Sequence, residues 1–174
     1  DKILLTFNDL IQADYNLMTV AVALGAVLGK MDPVQMLIMA VCQTIFSSLN
    51  RAIVIQSLEA VDDAGSMLVF VFGSFFGLAV SKMVTARQAY KSRNEMSTYP
   101  SNLRALTGTI FLYVFWPAWN AALAHNVVAA QYRAVINTVL ALSSSCLTAF
   151  IFSRTLRGAS VFEMVDVQRA TLAG

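Results

Sequence analysis

The sequence predicts an all-α integral membrane protein, built as a polytopic bundle of transmembrane helices. Of its 174 residues, 57% are hydrophobic and only 13% are charged, whereas soluble domains carry about 25% charged residues. The apolar residues form stretches long enough to cross roughly 30 Å of hydrocarbon, which takes about 20 residues. These stretches are predicted to be helices, because in lipid a helix satisfies its backbone within one segment.

Five apolar stretches are long enough to be transmembrane spans, at residues 9–29, 34–57, 65–82, 103–124 and 133–153. The third and fifth are the clearest, since residues 64–81 and 134–153 contain no charge. A sixth span is predicted to begin near residue 162. Together these stretches predict one transmembrane domain over residues 1–174 that is incomplete at both ends.

Charges in the connecting segments predict the orientation of the spans. The 58–63 loop contains Glu59, Asp62 and Asp63 and no basic residue, whereas the 82–104 loop is rich in lysine and arginine. Because cytoplasmic loops carry an excess of basic residues, the 82–104 loop is predicted to be cytoplasmic and the 58–63 loop to be external. The predicted location is the cell membrane, which the chain crosses several times.

Several classes of function find no support in the sequence. The net charge of +2 is too small to indicate a nucleic-acid partner. Cys42, Cys146 and His125 lack metal-ligand spacing, so no metal or other cofactor is predicted. No nucleophile–base pair indicates an enzyme. Serines 143–145 lie within a span, where serines bond a helix backbone or a neighbouring helix.

Nine short strings along the chain are similar to Rh glycoproteins, the Rh branch of the ammonium transporter family. They occur in the same order and at nearly the same spacing as in that family. The strings are 10–15 (LIQADY), 25–30 (GAVLGK), 33–39 (PVQMLIM), 66–67 (SM), 72–78 (FGSFFGL), 108–112 (GTIFL), 115–117 (FWP), 136–138 (INT) and 170–174 (ATLAG).

This resemblance implies a fold of eleven or twelve transmembrane helices with inverted internal repeats, of which the present chain is an internal fragment. It also implies a homo- or heterotrimer with one pore per subunit. The implied activity is the conduction of ammonia, or of ammonium that is delivered and deprotonated, without ATP. The expected partners are therefore the solute, the lipid bilayer and the other subunits.

Two aromatic residues match the gate positions of the family. Tyr15 matches the first gate, where the family commonly has Phe, and Trp119 matches the second; Asn120, which follows it, is assigned to the same pore-and-gate set. Aromatic faces attract ammonium through cation–π contact. The alternative is that Tyr15 and Trp119 belong to the aromatic belt at the membrane–water boundary.

Asp62 and Phe70 complete the predicted pore set. Asp62 aligns with a family carboxylate that orients backbone groups at the cation site; the alternative is a solvated acidic loop. Phe70 stands where transporting members carry the first pore histidine, and a phenyl ring cannot accept or relay a proton. In addition, Arg51 stands where the family often has an acidic residue. These departures keep two functions open: an ammonium/ammonia transporter, or a non-transporting Rh homologue that serves as a structural membrane subunit or anchor.

Overall fold

The computed structural model describes residues 5–84, 98–122, 124, 128–157 and 164–173. His125 and most of the predicted cytoplasmic loop, residues 85–97, lie outside the described residues. The chain divides into two compact units, Asp1–Met96 and Ser97–Gly174, and each is described by itself. The described residues form helices and turns and contain no strand, so the predicted all-α class is confirmed.

The first unit contains three long helices, two of which include a π-helical segment. Helix α1 spans Phe7–Val27, and α2 spans Pro33–Arg51 and continues as a π-helical segment over Ala52–Ser57. A second π-helical segment, Ser66–Val71, leads into α3 at Phe72–Val84. The two π-helical segments lie on either side of the acidic 58–63 loop. The irregular hydrogen bonding is therefore found at the end of the unit that contains Asp62.

Residues at the helix starts explain where α1 and α2 begin. At the start of α1, the backbone N–H of Thr6 donates to Oδ2 of Asp9 at 2.8 Å, and the Asp9 N–H donates back to the Thr6 hydroxyl at 3.4 Å. This reciprocal capping box satisfies N–H groups that have no partner within the helix. Helix α2 begins with Pro33, whose fixed φ suits the first helical position.

The second unit is built from α4 at Tyr99–Ala121, α5 at Val128–Arg157 and α6 at Met164–Thr171. The hydroxyls of Ser143 and Ser144 donate to carbonyls within α5, and Ser145 donates to the Ala170 carbonyl on α6 at 2.6 Å. The predicted role of this serine run in helix bonding is therefore confirmed. Helix α6 begins close to the predicted start of the sixth span.

Four helices of the described chain are long and apolar enough to cross a membrane, which is one fewer than the five predicted spans. They are Phe7–Val27, Pro33–Ser57, Ser66–Val84 and Val128–Ser153. Helix α4 has 23 residues, which is long enough at 1.5 Å per residue. It contains no equally apolar stretch of span length, because polar and charged residues interrupt it: Ser101, Asn102, Arg104, Thr107, Thr109 and Asn120.

The first unit has an interior rich in small and polar residues, and most of its large apolar side chains are exposed. The buried residues recur every fourth position on each helix: Tyr15, Thr19, Ala23 and Val27 on α1, Met39, Gln43 and Ser47 on α2, and Gly73, Gly77 and Ser81 on α3. By contrast, Leu37 is 67% exposed and Phe75 is 71% exposed. A water-soluble unit would show the reverse pattern, so this unit suits an apolar surrounding.

Two glycines allow the backbones of α1 and α3 to touch. A Cβ atom at Gly77 would lie 2.6 Å from the carbonyl oxygen of Ala23, and one at Gly73 would lie 2.9 Å from that of Thr19. Both distances are shorter than any normal contact, and the opposing atoms belong to the backbone. Small residues at four-residue spacing are a common basis for close helix packing in membranes, and here the partner surface is the Thr19–Ala23 turn of α1.

We expect Gly77→Ala to destabilise the full-length protein, because the added methyl group must push α3 away from the α1 backbone. Overpacking of this kind costs about 1–3 kcal/mol. Thermal unfolding in detergent, followed by tryptophan fluorescence, measures the loss. Gly25→Ala on α1 is the control, since a Cβ there meets nothing within 4 Å in this unit. Equal midpoints for the two variants would contradict the close α1–α3 contact.

Candidate functional site

Asp62 caps the beginning of the second π-helical segment. Its Oδ2 accepts hydrogen bonds from the backbone N–H groups of Met67 at 2.9 Å and Leu68 at 2.8 Å, and its Oδ1 accepts from the Ser66 hydroxyl at 2.9 Å. N–H groups at a helix start point outward and favour a negative charge. The half-exposed carboxylate is thus bound to the helix start through both oxygens.

Gly65 makes the turn between this carboxylate and the helix. Its φ of 76° lies in the left-handed region, and an added Cβ would lie 2.7 Å from Cγ2 of Val69. The Gly65 carbonyl accepts from the N–H of Val69 at 2.8 Å and from that of Phe70 at 3.2 Å. The second of these bonds reaches five residues ahead, which is the π-helical pattern and determines where Phe70 falls on the helix.

Tyr15 packs beside this capped turn. The residue is only 5% exposed, and its hydroxyl donates to the Asp63 carbonyl across a long 3.4 Å bond. A Cβ at Gly65 would lie 3.9 Å from Cδ1 of the tyrosine ring. The structure therefore brings Tyr15 together with the segment that contains Asp62. We call these two groups, Tyr15 and residues 62–65, the capped corner.

Phe70 lies on the π-helical segment that the capped corner initiates, where it is half-buried. Its ring carries neither a hydrogen-bond donor nor an acceptor. Whatever solute reaches this side chain therefore meets an apolar surface in place of the imidazole that the family resemblance leads one to expect.

The other two predicted site residues belong to the second unit. Trp119 is half-buried on α4, two residues after Pro117, which interrupts the backbone bonding of that helix. Asn120 donates from Nδ2 to the Thr138 hydroxyl at 3.1 Å, and Thr138 donates in turn to the Ala134 carbonyl at 2.8 Å. This chain of bonds ties α4 to α5 and fixes the direction of the Asn120 side chain.

Several polar contacts between helices of the first unit were not predicted from the sequence. Gln43 donates to the Thr19 carbonyl at 2.8 Å, and Ser47 donates to Oδ1 of Asn16 at the same distance. Near the opposite end of α1, Nζ of Lys30 donates to the Ser81 hydroxyl at 3.1 Å. A polar residue within an apolar span usually has a bonding or functional role. Gln43 is such a residue, so a helix–helix contact at this position could have been predicted.

Long apolar helices, an interior of small and polar residues, and a carboxylate-capped helix start beside a buried aromatic ring define a polytopic membrane protein. Comparison with known sequences identifies its family. The chain matches the Ammonium Transporter Family over residues 3–174. It therefore belongs to the ammonium transporter family.

The similar proteins are Rh-type members of this family. The chain is 42% identical over 173 residues to "Ammonium transporter Rh type C" of Sus scrofa and 41% identical over 175 residues to "Ammonium transporter Rh type A" of Bos taurus. Identity to the type C protein of Xenopus laevis is 39% over 175 residues. Each alignment covers 99% of this chain, but only 37%, 41% and 37% of the respective relative. The chain thus spans about two fifths of the length of these relatives.

We expect Asp62→Ala to lower the thermal stability of the full-length protein, because the N–H groups of Met67 and Leu68 lose their acceptor. Loss of a helix N-cap typically costs about 0.5–2 kcal/mol. Asp63→Ala is the matched control: it removes the same charge one residue away but keeps the backbone carbonyl that Tyr15 contacts. If both variants unfold at the same temperature, the side-chain cap does not stabilise the fold.

Proposed function

We propose that the full-length protein is an ammonium or ammonia transporter of the cell membrane, working as a channel without ATP. Membership of the ammonium transporter family, over nearly the whole chain, is the observation that carries this proposal. The relatives named above bear the same activity in their names. The capped corner supports the proposal from the structure, since it joins an aromatic ring to an acidic segment.

The capped corner has the chemistry to attract a small cation. Glu59, Asp62 and Asp63 concentrate negative charge in the loop next to Tyr15. Clustered charge of one sign raises the local concentration of counter-ions. An aromatic face adds a cation–π attraction of about 0.5–2 kcal/mol. We propose that ammonium first meets the protein here. Trp119 and Asn120 of the second unit are proposed separately, from the family resemblance, as gate residues.

The next step in this proposal is the loss of charge. An ion stripped of water in an apolar passage is penalised far more than a neutral molecule, so ammonia passes where ammonium does not. Phe70 supplies an apolar wall on this route. Without a hydrogen-bonding side chain at that position, a polar solute forfeits roughly 1–3 kcal/mol per unmade bond.

The proposed assembly follows the family resemblance. We propose one transmembrane domain that continues beyond this chain, a homo- or heterotrimer embedded in the lipid bilayer, and one passage per subunit. Transport without chemical conversion also implies that the protein is not an enzyme and needs no cofactor.

A structural membrane subunit or anchor that does not transport is the second candidate, and Phe70 is the observation that favours it. Arg51, half-buried at the end of α2, adds to this view. The positively charged guanidinium of Arg51, placed in the outer vestibule of a pore, would repel ammonium. Under this second candidate, the protein folds and assembles but conducts little.

Phe70→His separates the two candidates. In the full-length protein, the new imidazole should raise methylammonium uptake per surface molecule by about tenfold to a hundredfold, since 1.36 kcal/mol corresponds to a factor of ten in rate. The family resemblance implies a second pore histidine that lies outside the present chain, and the test uses a full-length protein that carries it. Uptake by cells that express each variant, divided by surface protein, gives the rate.

Phe70→Leu is the control, because it changes the side-chain shape but restores no hydrogen bond. Wild-type uptake no higher than that of empty cells, together with a strong gain in Phe70→His alone, would assign the native protein to the structural class. Full activity in the wild type with no change in Phe70→His would show that Phe70 does not limit transport.

A further inference from the structure

Gln43 is the most completely buried large polar side chain of the first unit. It lies near the middle of α2, has no exposed surface, and donates from Nε2 to the Thr19 carbonyl of α1 at 2.8 Å. Within the part of the chain that the structure describes, its Oε1 accepts no hydrogen bond. One end of the amide is thus bound across the helix interface, while the other has no partner among the described residues.

An unsatisfied buried acceptor destabilises a fold, and native structures contain few of them. A leucine or methionine would fill a similar volume without that penalty. In a membrane helix the disadvantage of a polar group is larger still, because lipid offers no alternative partner. The bond that Gln43 donates to α1 therefore calls for a role beyond filling space between α1 and α2.

The carbonyl that accepts this bond is the meeting point of three helices. Thr19 belongs to α1, Gln43 reaches it from α2, and the backbone of α3 at Gly73 approaches so closely that a Cβ there would lie 2.9 Å away. Any axial shift or rotation of α1 would break the bond with Gln43 or collide with α3. The Thr19 turn is consequently held from two sides.

Tyr15 lies one helical turn from this meeting point. The Thr19 hydroxyl donates to the Tyr15 carbonyl at 2.8 Å, and the Tyr15 hydroxyl donates to the Asp63 carbonyl. The same seam between α1 and α2 contains one more polar bond on that side, from Ser47 to Asn16. Displacement of the Thr19 turn would therefore displace the tyrosine ring relative to the capped corner.

We propose that Gln43 is a positioning residue for Tyr15: its amide fixes α1 at Thr19 and thereby holds the tyrosine ring against the capped corner. The inference rests on the proposed function, because Tyr15 acts on transport only where a cation meets its ring. Gln43 itself touches no solute. Its effect is on the capture of the cation, not on the number of correctly folded molecules.

The test is Gln43→Met in the full-length protein, with methylammonium uptake measured over a range of concentrations and divided by surface protein. Loss of one net hydrogen bond corresponds to about a two- to tenfold change in an equilibrium. We expect the half-saturation concentration to rise by that factor while the maximal rate per molecule stays unchanged. Thr44→Val is the matched control: Thr44 is exposed on the same helix and bonds only the Ala40 carbonyl of its own α2 among the described residues.

A purely structural Gln43 would instead lower the amount of surface protein and leave the half-saturation concentration as it is in Thr44→Val. That result would overturn the proposal. So would a Gln43→Met variant that matches wild type in every respect.

A second measurement does not depend on transport. In a cysteine-free background, Asn16→Cys and Ser47→Cys place thiols at a contact of the α1–α2 seam, and a short bis-thiol reagent links them. Gln43→Met should slow this cross-linking at least twofold, whereas Thr44→Val should not. If wild-type cells take up nothing above empty cells, the proposed function fails, and the cross-linking rate alone still decides whether Gln43 positions α1. An unchanged rate in Gln43→Met overturns that role.

Discussion

Direct backbone contact between α1 and α3 is the constraint on which the first unit depends. Gly73 and Gly77 present no side chain, so α3 approaches the Thr19 and Ala23 carbonyls to within a distance that a methyl group would block. At this separation the start of the π-helical segment that leads into α3 lies next to Tyr15. The long amide of Gln43 can also span from α2 to Thr19. A wider spacing of the helices would break both the contact of Tyr15 and the hydrogen bond of Gln43.

The composition of the unit follows from the same contact. Helices that touch at the backbone need small residues at the interface, and the large apolar side chains are then left for the outer surface. Hydrogen bonds join polar groups within the interior, as in the pairs Gln43–Thr19, Ser47–Asn16 and Lys30–Ser81. In lipid, where water cannot compete, such bonds also fix the register between helices.

Much of the fold could be predicted from the sequence, because hydropathy over about 20 residues is a strong signal for a membrane span. The spans of α1, α2, α3 and α5 were placed within a few residues of the helices observed. The string FGSFFGL contains both glycines of the α1–α3 contact, but only the structure identifies α1 as their partner. Helix α4 was also predicted to be a span, although polar and charged residues such as Asn102, Arg104 and Asn120 leave it without an equally apolar stretch.

The π-helical segments were not predictable in the same way. The bonding of the second segment depends on the positive φ of Gly65 and on both oxygens of Asp62, which are properties of a folded turn rather than of a periodic pattern. The alignment placed Asp62 and Tyr15 in one set, but only the structure gives the bonds that join them into the capped corner. The contact of Gln43 was not predicted for a different reason, because a single amide hardly changes the hydropathy of its span.

We propose that α2 crosses the membrane and that the capped corner lies at its outer end. Accessibility of single cysteines in an otherwise cysteine-free full-length protein tests this claim directly. Val61→Cys reports on the loop beside the capped corner, and Asp32→Cys reports on the opposite end of α2. With an impermeant maleimide on intact cells, we expect rapid labelling at position 61. We expect labelling at position 32 only after permeabilisation. Labelling of both positions from outside, or of position 32 alone, would contradict it.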